Sequence, residues 1–213
     1  MKLTLNTFLS LDGVMQGPGG PDEDRSGGFD QGGWVVPFVD DVFGTVVSSW
    51  FAETDEVLFG RTTYDMMYAF WSTVTDPDDQ VATMLNTRPK HIVSTTLRDP
   101  AWNNSTVIDR DVVDAVRALK QRPGGELQVH GSCGLARTLH DAGLIDEYRL
   151  IVFPVVVGGG KRLFPDGSAP GSFTMVSSSV TSKGAVAMAL RPAGSLGTGD
   201  IDVVDGKEVI RQS

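Results

Sequence analysis

Cysteine is almost missing, with Cys133 the single one among 213 residues. That excludes an intrachain disulfide framework and any multi-cysteine zinc site, including the paired-cysteine deaminase centre. Histidine is scarce too. His91, His130 and His140 are the three, no two form a His-x-x-x-His pair, and no metal is expected. No apolar run approaches the ~18 residues of a membrane span, and the start Met1-Lys2-Leu3-Thr4-Leu5-Asn6 has no secretory apolar core. A cytoplasmic protein without membrane contact is expected. Positive charge is also short: 18 Lys and Arg stand against 27 Asp and Glu, a net charge of −9. Such a surface repels phosphate backbones, so nucleic acid is not an expected partner; a local basic pocket for one nucleotide stays open. Three short motifs are absent. Gly158-Gly159-Gly160-Lys161-Arg162 is no P-loop, because Val155 and Arg162 occupy the places of its first Gly and its Ser/Thr. Neither a Gly-x-Ser-x-Gly elbow nor a Gly-x-Gly-x-x-Gly fingerprint occurs.

What is abundant is glycine. The chain has 25, about 12% against a typical ~7%. They lack the three-residue period of collagen, so they mark turns and loops. Hydrophobic residues at 40% and charged residues at 21% describe a folded chain, and its length suits one ordinary core.

Alternation of Leu3, Leu5, Thr7 and Leu9 predicts a strand over Lys2–Ser10. A long glycine-rich loop follows from Asp12 to Gly33; loops of that length are functional or disordered. The spacing predicts helices over 38–53 and 62–70, around a short buried strand over 55–60. Asp76, with Pro77 behind it, predicts a capped helix running to about Thr87. Strands are predicted at 90–94 and 105–108, a helix at 111–122, a strand at 126–130 and a helix within 131–143. The β-branched run 148–157 reads as a long strand. Residues 173–182 and 185–191 read as an antiparallel pair, and 203–210 as a hairpin around Asp205-Gly206. This alternation predicts an α/β fold: a mixed, mostly parallel central sheet with helices on both faces and antiparallel C-terminal edge strands. Residues 1–191 read as one domain and 192–213 as a tail.

In such sheets ligands bind beyond the carboxyl ends of the strands. Three strand ends carry suitable residues. Gly60-Arg61-Thr62-Thr63-Tyr64 combines a turn, an Arg fork and a helix start, which suits an anion; the alternative is a capped helix with a surface Arg. Ser94-Thr95-Thr96 presents three hydroxyls to a phosphate or ribose, or forms an ordinary Ser/Thr turn. Gly131-Ser132-Cys133-Gly134-Leu135 sets a Gly-rich turn before a helix, a setting for a pyrophosphate.

Together with Ser10-Leu11-Asp12-Gly13, Gly143-Leu144-Ile145-Asp146-Glu147 and Pro154-Val155-Val156-Val157-Gly158-Gly159-Gly160-Lys161-Arg162-Leu163-Phe164, these segments resemble the dihydrofolate-reductase-like superfamily. The branch is that of the C-terminal reductase domain of the bifunctional riboflavin biosynthesis enzyme, and the likeness covers roughly residues 1–190. It implies NADPH as cofactor. The 2′-phosphate would lie against Arg61, Thr62, Thr63, Ser94 and Thr95, with Gly60 and Thr96 also on the cofactor side. The pyrophosphate would lie on Gly131, Ser132, Cys133, Gly134 and Leu135. It further implies hydride transfer to a small heterocycle, pteridine- or aminopyrimidine-like, with Asp12, Gly13, Gln16, Trp34 and Tyr64 on the substrate side. Asp40 or Asp41, opening the helix after the first loop, matches the family's catalytic carboxylate; both also suit the first turn of a helix. The segment Tyr64-Asp65-Met66-Met67 departs from the acidic, proline-containing stretch of riboflavin reductases. A homodimer is implied by the family. The competing expectation is a protein of this fold that binds NADPH or another ligand without turnover.

Overall fold

The computed structural model describes residues 1–212. Its centre is β1 (Lys2–Ser10), whose Leu3, Leu5 and Leu9 are buried on one face while Thr4 and Asn6 are buried on the other. The chain then builds β2 (Thr54–Gly60), β3 (Lys90–Val93), β4 (Ser105–Ile108), β5 (Glu126–Val129), β6 (Glu147–Phe153), β7 (Phe173–Val180) and β8 (Val186–Pro192). These eight strands form one sheet in the order β4-β3-β2-β5-β1-β6-β8-β7. The first six are parallel, and β8 and β7 close the edge antiparallel. This is the predicted architecture: a mixed, mostly parallel sheet with antiparallel C-terminal strands. The tail forms a separate ribbon, β9 (Gly199–Val204) with β10 (Lys207–Gln212), around the predicted Asp205-Gly206 turn. Both turn residues have positive φ, as that hairpin turn requires.

Among the described residues five α-helices flank the sheet: α1 (Asp41–Ala52), α2 (Arg61–Trp71), α3 (Gln80–Thr87), α4 (Val112–Lys120) and α5 (Cys133–Asp141). Val116, Leu119, Leu135 and Leu139 from α4 and α5 pack on Leu3, Leu5, Leu127 and Val129 of the sheet. On the opposite face Phe51, Tyr64, Met84 and Leu85 from α1 to α3 cover Val57, Phe59 and Ile92. Full burial of such a side chain contributes ~1.5–3 kcal/mol.

Among the boundaries that differ from expectation, three have a clear local cause; the ribbon is also longer than the expected 203–210 and spans Gly199–Gln212. The helix predicted from residue 38 begins at Asp41, because Val36–Phe38 forms a short 3-10 turn around Pro37. The helix expected from Asp76 starts at Gln80. Asp79 caps it by accepting from the Ala82 amide at 2.9 Å, whereas Asp76 accepts from the Asp78 amide and closes a turn of its own. The run predicted to Val157 ends as a strand at Phe153, since Pro154 has no N–H for the ladder.

Charges close the amino end of the sheet. Buried Arg149 donates to Glu126 at 2.7 Å, Glu53 at 2.6 Å and Glu147 at 3.1 Å, and Lys2 pairs with Glu126 and Glu147. Loops and helix starts gather at the opposite, carboxyl end.

Candidate functional site

The turns after β2 and β5 touch, because those strands are neighbours. The Gly60 amide donates to Gly131 O at 3.0 Å. No side chain fits between them: a Cβ on Gly60 would lie 2.2 Å from Ser132 Oγ, and one on Gly131 would lie 2.7 Å from Thr63 Oγ1. Each turn opens a helix, α2 at Arg61 and α5 at Cys133. Neither helix has a side-chain cap, whereas α1 and α3 are capped by Asp40 and Asp79. Two uncapped helix starts side by side aim free amides and two positive dipole ends at one spot, a setting for an anion. Arg61 stands beside it, half-exposed. Its Nε is held by both oxygens of Asp65, at 2.9 and 2.7 Å, and its two terminal nitrogens have no partner among the described residues. After β3, Ser94 Oγ accepts from the Leu97 and Thr96 amides at 3.0 and 3.3 Å, making a hydroxyl turn with Thr95 and Thr96 exposed. Gly60 to Thr63, Ser94 to Thr96 and Gly131 to Leu135 thus lie on three neighbouring strand ends.

Some of these residues offer backbone only. The Leu135 side chain belongs to the core under α5. Burial pushes the Cys133 thiol up to about 11, so it is a neutral small residue at pH 7 and not a thiolate.

Over β1 and β6 lies a second group. Asp12 accepts from Ser10 Oγ at 2.6 Å, the Val157 amide at 3.0 Å and the Gly158 amide at 2.9 Å. The Ser10 hydroxyl and these amides hold its carboxyl down to about 2. Asp12 therefore anchors the Gly158-Gly159-Gly160 turn as a permanent anion, while Gly13, at φ +78°, accepts from the Leu163 amide. Gln16 is buried: Nε2 donates to Asp24 O and Ser26 O, and Oε1 accepts from the Lys161 amide. Trp34 Nε1 donates to Gln16 O at 2.9 Å, and its ring meets the edge of Phe153 at 5.7 Å. The first loop and the glycine turn are thereby braced into two walls of a cleft of about 520 Å³.

Two expected roles are revised. Tyr64, expected near the substrate, is buried in the α1–α3 core. Its hydroxyl accepts from the Trp102 amide, and its ring stacks on Tyr68. The period of α2 turns position 64 inward. Asp40 serves as the α1 cap: Oδ1 accepts from the Phe43 amide at 2.7 Å and Oδ2 from the Lys183 amide at 3.0 Å. The Phe43 bond leads in holding it ionised. Asp41 is exposed in the first turn of α1. Both lie beside the β7–β8 turn, four strand spacings or ~19 Å from β2.

Lys161 and Asp24 are site residues that sequence reasoning missed. Lys161 Nζ bonds Asp24 at 2.7 Å and Ser26 Oγ at 2.6 Å, placing a cation at the rim of the cleft. In the sequence Lys161 figures in the failed P-loop pattern and in the run from Pro154 to Phe164 that carries the resemblance, but not as a site residue. His130 was missed too. It precedes the Gly131 turn, its ring stacks on Phe51 at 4.8 Å, and Nε2 is buried without a hydrogen-bond partner. Burial, then the charge of Arg149, lowers its pKa from 6.5 to about 4. The unfolded chain therefore takes up this proton first as pH falls, and stability drops between pH 6.5 and 4. Up to about 3 kcal/mol is expected from the shift alone. Urea unfolding of the chain and of His130→Phe checks this. The variant keeps a ring against Phe51 and should lose less stability over that interval; equal losses would reject it.

The chain matches the family model described as the RibD C-terminal domain over residues 1–187. It is 27% identical to the protein YyaP of Bacillus subtilis over 187 residues, covering 87% of this chain and 92% of YyaP. Among solved structures it resembles a putative riboflavin biosynthesis protein from Shewanella sp. PV-4, with a TM-score of 0.64 and 21% identity, over 90% of this chain and 99% of that one. It also resembles dihydrofolate reductase from Enterococcus faecalis complexed with NADP(H), with a TM-score of 0.57 and 13% identity, over 90% and 96% of the two chains. The likeness in fold thus extends to a reductase, and the match over residues 1–187 makes this chain a member of the RibD C-terminal domain family.

Proposed function

We propose that this protein is an NADPH-dependent reductase that transfers a hydride to a small heterocycle of pteridine or aminopyrimidine type. The observation that carries the reading is the clasp of the Gly60 and Gly131 turns, with two uncapped helix starts and Arg61 beside them. The residues fit the cofactor. Glycine at 60 and 131 lets two backbones approach, the first-turn amides of α2 and α5 suit a pyrophosphate, and the Arg61 fork with the Ser94 turn suits a 2′-phosphate. NADPH, when bound, supplies the hydride; the chain binds, orients and excludes water. Asp12 holds the glycine turn against the first loop, and Trp34 and Gln16 brace that loop from within. Residues 1–191 would form the reductase domain.

The test is titration with NADPH followed by a panel of dihydropteridines and aminopyrimidines. Saturable binding and NADPH oxidation with one of them are expected. A dissociation constant above ~1 mM, about 4 kcal/mol of affinity, would reject the reading. A second reading, ligand binding without turnover, is favoured by Asp40. Both its oxygens accept backbone N–H bonds in a capping role, so one of the two carboxylates matched to catalysis is already engaged. Tight NADPH binding with no oxidation by any member of the panel would select it.

A further inference from the structure

We propose that a row of buried polar side chains under α1, made of Thr4, Asn6, His130 and Arg149, receives one polar edge of the substrate, and that this edge is a lactam: a ring N–H beside a C=O. The inference deepens the reductase reading, on which it rests, by naming the side of the heterocycle that the chain grips.

Among the described residues five buried side-chain atoms have no hydrogen-bond partner. One is Ser105 Oγ on the edge strand β4. The other four are Thr4 Oγ1, Asn6 Oδ1, His130 Nε2 and Arg149 Nη1, on β1, on β6 and just past the end of β5. Thr4 stands opposite Gln128 and Glu147, and Asn6 opposite Arg149. Residues opposite one another in a sheet share a face. His130 lies two positions beyond Gln128, and its ring meets Phe51 and Phe59, which places it on that same face. Thr4, Asn6 and Arg149 are only 0%, 3% and 7% exposed. Leaving such atoms unmet is costly, and native chains carry few of them. Four on neighbouring positions mark a place that a guest completes.

Two of the four roles are fixed. Gln128 Nε2 donates to Trp50 O at 2.6 Å and to Glu126 Oε2 at 2.9 Å, so Gln128 Oε1 is its accepting end. Asn6 Nδ2 donates to that oxygen at 2.8 Å. The free atom of Asn6 is therefore its carbonyl oxygen, which only accepts. Arg149 is anchored through Nε and Nη2 to Glu147, Glu53 and Glu126, and its free Nη1 only donates. The guest must offer a donor to Asn6 and an acceptor to Arg149, side by side. A ring N–H next to a C=O does both. An amine in place of the C=O would set N–H against N–H at Arg149, and the bare ring nitrogen beside it would set a lone pair against Asn6. The Thr4 hydroxyl and a neutral His130 ring can each take either role. Asn6 and Arg149 are held by partners of their own, so the row is preorganised. His130 joins it to the cofactor clasp, because Gly131 follows directly.

The test is isothermal titration of the full chain, with and without NADPH, using a 2-amino-4-oxo dihydropteridine and its 2,4-diamino counterpart. The 4-oxo compound should bind at least about tenfold tighter. Thr4→Val and His130→Phe should each weaken it about tenfold and change the diamino compound by no more than about twofold. Arg149 is left in place, since it also holds three carboxylates. Val keeps the shape of Thr without the hydroxyl, so Thr4→Val should melt no lower than the parent. A clearly lower melting temperature would show that the hydroxyl is already bonded and would overturn the proposal. So would no binding of the 4-oxo compound, equal affinities for the pair, or a crystal structure of the complex with waters still bonded to all four atoms. NADPH oxidation by both compounds at equal affinity would sink this edge and leave the reductase reading standing. Preference for the 4-oxo edge without NADPH binding would do the reverse.

Discussion

Gly60→Val is expected to lower the melting temperature by roughly 2–12 °C and to remove tight NADPH binding. A first side-chain atom at position 60 would stand 2.2 Å from Ser132 Oγ, 2.9 Å from its Cβ and 3.0 Å from its amide nitrogen. Rotating the Ser132 hydroxyl relieves only the first of these. The other two are fixed by the backbone, so the turns must part and the bond from the Gly60 amide to Gly131 O must stretch. Overpacking of this kind costs ~1–3 kcal/mol, and a chain near 200 residues loses ~2–4 °C per kcal/mol. The binding loss has the same origin: separated turns no longer aim their helix starts at one spot. Calorimetry and NADPH titration of the variant check both parts. Ser132→Gly placed in Gly60→Ala should recover part of the stability, because it removes the facing Cβ. An unaltered melting temperature for Gly60→Val would mean that the two turns do not close on each other in solution.

Arg61→Ala should weaken NADPH by 10- to 100-fold and NADH by no more than about twofold. The difference corresponds to ~1.4–2.8 kcal/mol, as expected for a bidentate guanidinium–phosphate pair that is partly exposed to water. Asp65 holds only Nε of Arg61, which leaves the two terminal nitrogens for a phosphate. Asp65 therefore orients the fork without consuming it, at the cost of a nearby negative charge. Isothermal titration with both nucleotides decides the matter. Equal losses for NADPH and NADH would refute the 2′-phosphate assignment and leave Arg61 as the surface partner of Asp65.

Much of the fold was legible because its signals are local. Alternation marked β1, the Asp205-Gly206 pair marked the ribbon turn, and the order of strands and helices implied a mostly parallel sheet. Cap choice was not legible, because Asp76 and Asp79 compete for one helix and only the turn closed by Asp76 decides between them. The three cofactor turns could be marked from glycine and hydroxyl residues at strand ends. What the sequence hid was their adjacency: β2 and β5 are neighbours although 65 residues lie between Gly60, the end of β2, and Glu126, the start of β5. Tyr64 was misplaced for a related reason. Near a site in sequence, it lies on the inward side of α2, and only the packing against Trp102 reveals that. Lys161 and Asp24 escaped because their pairing joins segments 137 positions apart.

The central position of β1 has a consequence for synthesis of the chain. Lys2–Ser10 is made well before its two neighbours, Glu126–Val129 and Glu147–Phe153. At ribosomal speeds of ~5–20 residues per second, the last of them follows roughly 8–30 s later. Until then Leu3, Leu5 and Leu9 have no sheet to enter, and both hydrogen-bonding edges of the strand are open. The nascent protein must therefore carry its future centre as an unpaired, apolar segment. A chaperone that holds Lys2–Ser10 would protect the sheet's middle, not its margin.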